Sequence, residues 1–154
     1  MPATTYDDVR ESLRSAIERA SSPDEAMRKT VNILKDQMPD YSWVGIYLLD
    51  GDELVLGPFL GKPSPHTRIP LNQGICGAAA SHKATIVVDD VDADPRYLAC
   101  SLETRSEIVV PILRGSEVLG EIDIDSDKKA AFGAPDRDLL ESVAAILARK
   151  FAAR

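Results

Sequence analysis

The sequence predicts an α+β domain with a mostly antiparallel sheet, and two patterns carry that expectation. Apolar residues recur at helical spacing near both ends of the 154-residue chain. Between them lie short apolar runs joined by hairpin turns, and consecutive hairpins pair antiparallel with helices laid against a face. The length fits one core, so residues 1–154 are read as a single domain. Helices are expected within 1–39, the sheet and its covering loops within 41–126, and a closing helix over 134–154.

Thr5 and Asp8 have capping-box spacing ahead of a stripe formed by Val9, Leu13, Ala16, Ile17 and Ala20. A second start follows at Ser22, with Pro23 at the first helical position and Glu25 at the third. That helix turns Met27, Val31, Leu34 and Met38 inward and stops at Pro39. Branched and aromatic residues then make a strand of 43–49, and Asp50-Gly51-Asp52 turns it into a partner over 53–59.

Residues 60–70 carry three prolines and read as a loop. Gly74 to Ala80 suits a short helix, 85–88 a buried strand, and 89–105 a 17-residue acidic loop with a helical turn near Tyr97. Strands at 107–113 and 118–125 form the last hairpin. Pro135 and Asp136 open the final helix, whose inner face is Leu139, Leu140, Val143, Ile146, Leu147 and Phe151. The count is therefore five strands. A loop as long as 89–105 is unusual in a compact domain unless it covers something.

Eighteen basic against twenty-five acidic residues give a net charge of −7, which argues against binding to phosphate backbones or anionic membranes. The sequence opens without a basic and apolar leader pattern, and no run approaches about 18 apolar residues. A soluble cytoplasmic protein is expected. Two cysteines make no disulfide framework, and two histidines make no zinc or haem ligand set.

Side chains alternate across a strand, so Glu121, Asp123 and Asp125 share one face and Ile122 and Ile124 the other. The plainer reading is a solvated face near the end of a sheet. The functional reading is a carboxylate cluster for an ammonium ion or a hard metal ion, with Glu107 of the preceding strand close by. Without an EF-hand spacing or a phosphate loop, an organic cation is preferred. Trp43 and Tyr47 fall on one face of the first strand, either as core or as an aromatic wall for a cation, a methyl group or sulfur. Cys76 lies near a helix amino terminus, where a thiolate is favoured, and Cys100 lies in the long loop. Each is either an inert buried residue or a nucleophile. His66 and His82 read as surface residues.

Five segments then read together: Trp43-Val44-Gly45-Ile46-Tyr47, residues 54–62 (Leu54 to Lys62), Gly74-Ile75-Cys76-Gly77, residues 106–111 and Ile122-Asp123-Ile124-Asp125-Ser126. In this order and spacing the chain resembles the free methionine-(R)-sulfoxide reductase family, a catalytic branch of the GAF domains. The resemblance implies a GAF fold, with terminal helices on one side of the sheet and ligand-covering loops on the other. It implies Cys100 as the catalytic cysteine, Cys76 as a second cysteine, Glu107, Asp123 and Asp125 around the substrate, and Trp43 and Tyr47 as pocket aromatics. It implies free methionine sulfoxide as substrate and a dithiol such as thioredoxin as electron donor; no cofactor or metal is expected. A homodimer is left open; a purely structural dimerisation module built on the terminal helices would leave the acidic strand and the two thiols unexplained.

One departure stands out. Family members commonly carry a further cysteine after the Gly-Pro-Phe-x-Gly-Lys stretch, but residues 62–68 here contain none and include an inserted residue. Either Cys76 resolves Cys100 as a disulfide, or the external reductant acts directly. The expectation favours the disulfide, because the loop is long and glycines flank Cys76. The competing class is a non-catalytic GAF sensor for a small ligand, since a fold alone does not choose between functions.

Overall fold

The computed structural model describes residues 5–98 and 102–152. Helix α1 spans Tyr6–Arg19 and α2 spans Pro23–Gln37. Both starts follow from their caps. Thr5 Oγ1 accepts from the Asp8 N–H at 3.1 Å, and Asp8 accepts from the Thr5 N–H at 3.1 Å. Ser22 Oγ accepts from the Glu25 N–H at 3.1 Å. Such a cap stabilises a helix by about 1 kcal/mol.

The strands are β1 Trp43–Asp50, β2 Glu53–Leu60, β3 Arg68–Pro70, β4 Ile86–Val88, β5 Ser106–Arg114 and β6 Glu117–Ser126. Helix α3 spans Gly74–His82, and α4 spans Ala134–Ala152. The strand order is β3-β2-β1-β6-β5-β4, and every pairing is antiparallel.

Two expectations are corrected. Arg68–Pro70 leaves the predicted loop to pair with Glu53, Leu54 and Val55 as a sixth strand. Its Pro70 sits at the sheet edge, the one place a strand tolerates a residue without an N–H. The helical turn of the acidic loop forms at Val91–Ala93 rather than near Tyr97, because the Asp90 side chain caps it by accepting from the Asp92 N–H.

Both faces of the sheet are covered. On one face α1, α2 and α4 bury Leu13, Ile17, Leu34, Leu139 and Leu147 against Val44, Ile46, Ile108, Ile122 and Ile124. Each such side chain contributes roughly 1.5–3 kcal/mol. Asp136 ties the terminal helices to the sheet, accepting from Tyr41 Oη at 2.7 Å, Tyr6 Oη at 3.2 Å and the Gly133 N–H at 2.9 Å. On the other face α3 and the loops pack Ile75, Cys76, Ala79 and Val91 against Trp43, Tyr47, Ile69, Val88 and Val109 of the sheet. This second layer turns the acidic side of β6 into an interior surface.

Candidate active site

The site begins with strand register. Trp43, Gly45 and Tyr47 of β1 stand opposite Asp125, Asp123 and Glu121 of β6. On its other side, β6 places Asp125 opposite Glu107 and Asp123 opposite Val109. Period-two alternation therefore puts four carboxyl groups and two aromatic rings on the face beneath α3.

The solvated-face reading of this row is overturned. Glu107, Glu121, Asp123 and Asp125 are 4%, 0%, 2% and 3% exposed. The covering layer removes them from water, which disfavours their charged forms and raises all four above the ordinary carboxyl range. Mutual repulsion adds to burial at Glu107, Glu121 and Asp125, with Asp123 the strongest repelling neighbour of each. Among the described residues, one oxygen of Asp123, one of Asp125 and both of Glu121 find no hydrogen-bond donor. Buried acceptors in that condition are costly and are well suited to a cationic donor.

The aromatic wall is held rigidly. Trp43 stacks on Phe59 with ring centroids 5.7 Å apart, and its Nε1 donates to the Lys62 carbonyl at 2.9 Å. Tyr47 Oη donates to the His66 carbonyl at 2.7 Å, fixing the loop that follows β2. These bonds satisfy the polar tips of both rings while their apolar bodies line the site. Both rings are buried core residues that also border the pockets beside the carboxyl row.

Cys76 is buried in the first turn of α3. Gly74 makes that approach possible: its φ is +70°, and a Cβ there would meet Leu98 Cδ1 at 2.9 Å. The expectation of an approachable thiol with a favoured thiolate is corrected. Burial pushes the thiol well above its ordinary value, and the neighbouring Asp123, Glu121 and Glu107 push it further.

Ligand atoms of Cys76, Glu107 and Asp123 lie within 4.8 Å of one another, close enough to share a cation. The carboxyls run as a row along two strands rather than as a shell about a point, an arrangement suited to an organic ammonium and its chain. Two small pockets border the row. One, of about 20 Å³, is lined by Tyr47, His66, Cys76, Leu98, Glu107 and Asp123. The other, of about 70 Å³, is lined by Trp43, Lys62, Glu103, Thr104 and Asp125. Two of its lining residues form an ion pair, Lys62 Nζ to Glu103 Oε1 at 2.6 Å.

The fold therefore gathers Trp43, Tyr47, Cys76, Glu107, Asp123 and Asp125. Cys100 lies outside the described residues. His82 is exposed at the end of α3, as expected, but His66 is half-buried and lines the smaller pocket, which corrects its reading as a surface residue. Glu121 was visible as the third member of the acidic alternation, yet no sequence signal separated it from a solvated neighbour.

A GAF-domain family model matches residues 22–150, so fold and sequence together define a GAF domain. The free methionine-R-sulfoxide reductase of Escherichia coli K12 is 35% identical over 126 residues, spanning 82% of this chain and 76% of that protein. The structure of the Neisseria meningitidis free methionine-R-sulfoxide reductase in complex with its substrate superposes with a TM-score of 0.93 at 39% identity, covering 98% of this chain and 90% of that one. The type II free methionine-R-sulfoxide reductase of Thermoplasma acidophilum gives a TM-score of 0.79 at 40% identity, covering 92% and 94%. The chain belongs to the free methionine-R-sulfoxide reductase branch of the GAF family.

Proposed function

We propose that this protein reduces free L-methionine-(R)-sulfoxide to methionine. The carrying observation is the row of four buried carboxyls, three of them under-partnered, beside Trp43 and Tyr47, in a chain 39% identical to a substrate-bound reductase. Glu107, Asp123 and Asp125 receive the substrate ammonium, a group that peptide-bound methionine sulfoxide lacks. Trp43 and Tyr47 pack around the sulfoxide methyl and sulfur.

Cys100 is the nucleophile in this scheme. Its thiolate attacks the sulfoxide sulfur while a carboxylic acid of the row, kept protonated by burial, protonates the departing oxygen. Methionine leaves and Cys100 is left as a sulfenic acid. Cys76 then condenses with it to a disulfide, releasing water, and a dithiol such as thioredoxin restores both thiols by exchange.

The test is NADPH consumption with thioredoxin and thioredoxin reductase, on free (R) and (S) epimers and on a blocked peptide sulfoxide. Turnover of the free (R) form alone is expected. Equal rates on both epimers or on the peptide would refute a closed amino-acid site, and binding without turnover would make the domain a sensor.

A further inference from the structure

Among the described residues, one grouping of cysteine and acidic side chains is compact enough to hold a metal ion. Its members come from three elements: Cys76 from α3, Glu107 from β5 and Asp123 from β6. One ligand atom of each lies within 4.8 Å of the other two, and all three residues are buried. No spacing motif marks this set, since its members are far apart in the chain.

Two further observations separate it from an ordinary acidic cluster. Asp123 is 2% exposed, and one of its oxygens finds no hydrogen-bond donor among the described residues. A buried acceptor in that state lacks the partner that offsets its desolvation. All three side chains also line one pocket, whose volume of about 20 Å³ has room for a single water-sized body.

The donor atoms select the ion. Calcium and magnesium take shells of about six or more oxygens, in which a thiol has no place. One sulfur and two carboxylate oxygens suit zinc, which is tetrahedral and can leave one position to water. Bonds of about 2.0–2.3 Å put the ligand atoms of such a site about 3.3–3.5 Å apart, a shift within reach of side-chain rotation. Zinc binds the thiolate and carboxylate forms, so the protons that burial keeps on these groups pass to solvent as it enters. Its double charge then replaces their mutual repulsion with attraction.

We propose that Cys76, Glu107 and Asp123 form an inhibitory zinc site that closes the pocket against substrate. Zinc binding needs no particular reading of the reaction; inhibition rests on Glu107 and Asp123 receiving the substrate ammonium. No electron moves: zinc exchanges places with protons and, when chelated, leaves the thiol reduced. The bound ion ties α3 to β5 and β6, clamping the covering layer onto the sheet.

Cobalt(II) is the optical probe, used in Cys100→Ser protein, where Cys76 is the one remaining thiol. A sulfur-to-cobalt charge-transfer band should grow to one equivalent and vanish when zinc is added. In the same background, zinc affinity is read by competition with a chromophoric chelator. Adding Cys76→Ser or Asp123→Asn should lower it at least about 100-fold, since groups that merely support a metal ligand are worth about 10–100-fold. Zinc should raise the melting temperature of the wild type and leave Cys76→Ser and Asp123→Asn unmoved, and magnesium should move none of them.

A single turnover without reductant separates the site from its effect. Metal-free wild type should consume one equivalent of free methionine sulfoxide, and zinc-loaded protein none until a chelator is added. Absence of the sulfur band, or zinc affinity unchanged in both folded variants, overturns the site. Zinc held through Cys76 with unimpaired consumption overturns inhibition. If metal-free protein consumes nothing, the reductase reading falls and inhibition with it, while the site is judged by its binding.

Discussion

Glu107 and Asp125 stand directly opposite one another across the β5–β6 ladder, each almost wholly withdrawn from water. Like charges in that relation repel, so the pair titrates as a unit and holds protons to higher pH than solvated carboxyls do. Unfolded, both groups ionise near pH 4. Between that value and the raised folded values the native state binds more protons, so its stability falls as pH rises. The advantage is complete below about pH 4 and is lost as the pH rises through the raised folded values. Urea unfolding of the ligand-free protein should show lower stability at pH 8 than at pH 5, with Asp125→Asn narrowing the difference. A wild type more stable at pH 8, with that gain lost in Asp125→Asn, would mean the carboxyls are ionised and paired in the fold.

The same substitutions should harm catalysis while sparing the fold. On the proposed reading, Asp125→Asn and Glu107→Gln would each remove an acceptor for the substrate ammonium, worth about 1.5–3 kcal/mol. That corresponds to roughly tenfold to 100-fold in kcat/KM. Melting temperature should hold or rise by the relief of repulsion. Unchanged kcat/KM with a lower melting temperature would assign these residues to structure.

The two cysteines should separate cleanly by variant. Cys100→Ser should show no turnover above background, because a hydroxyl does not replace a thiolate as nucleophile at neutral pH. Cys76→Ser should still consume one equivalent of sulfoxide and accumulate a sulfenic acid that dithiothreitol clears. Sustained thioredoxin-linked turnover in Cys76→Ser at the wild-type rate would make this a one-cysteine enzyme.

Much of this was legible in the sequence because the signals were local. Ser22 and Pro23, the Asp50-Gly51-Asp52 turn and the acidic alternation of β6 depend on neighbours within a few residues, and the structure repeats them. Three-residue β3 carried too short a pattern to outweigh its prolines. The burial of the carboxyl row was hidden for a different reason. Exposure of a strand face depends on whether α3 and the loops fold over it, and that is decided by contacts dozens of residues away. The state of the Cys76 thiol was misread for the same cause: helix position is local, whereas the acids that surround it come from β5 and β6.

Gly45 sets the position of the aromatic wall. It lies opposite Asp123 on β6, and a Cβ there would fall 2.3 Å and 2.6 Å from Cη2 and Cζ3 of the Trp43 ring and 3.2 Å from Phe59 Cβ. The indole is pinned by its stack on Phe59 and its bond to the Lys62 carbonyl, so it has no free direction in which to yield. Gly45→Ala should therefore tilt the ring, weaken both contacts and cost about 1–3 kcal/mol, the usual penalty for overfilling a packed interior. Trp43 is the only tryptophan in the chain, so its emission reports the displacement directly. The expected result is shifted emission together with a kcat/KM loss greater than the melting temperature explains. Wild-type emission and activity in a folded Gly45→Ala would show that the strand can move as a whole and that the ring's place does not depend on this glycine.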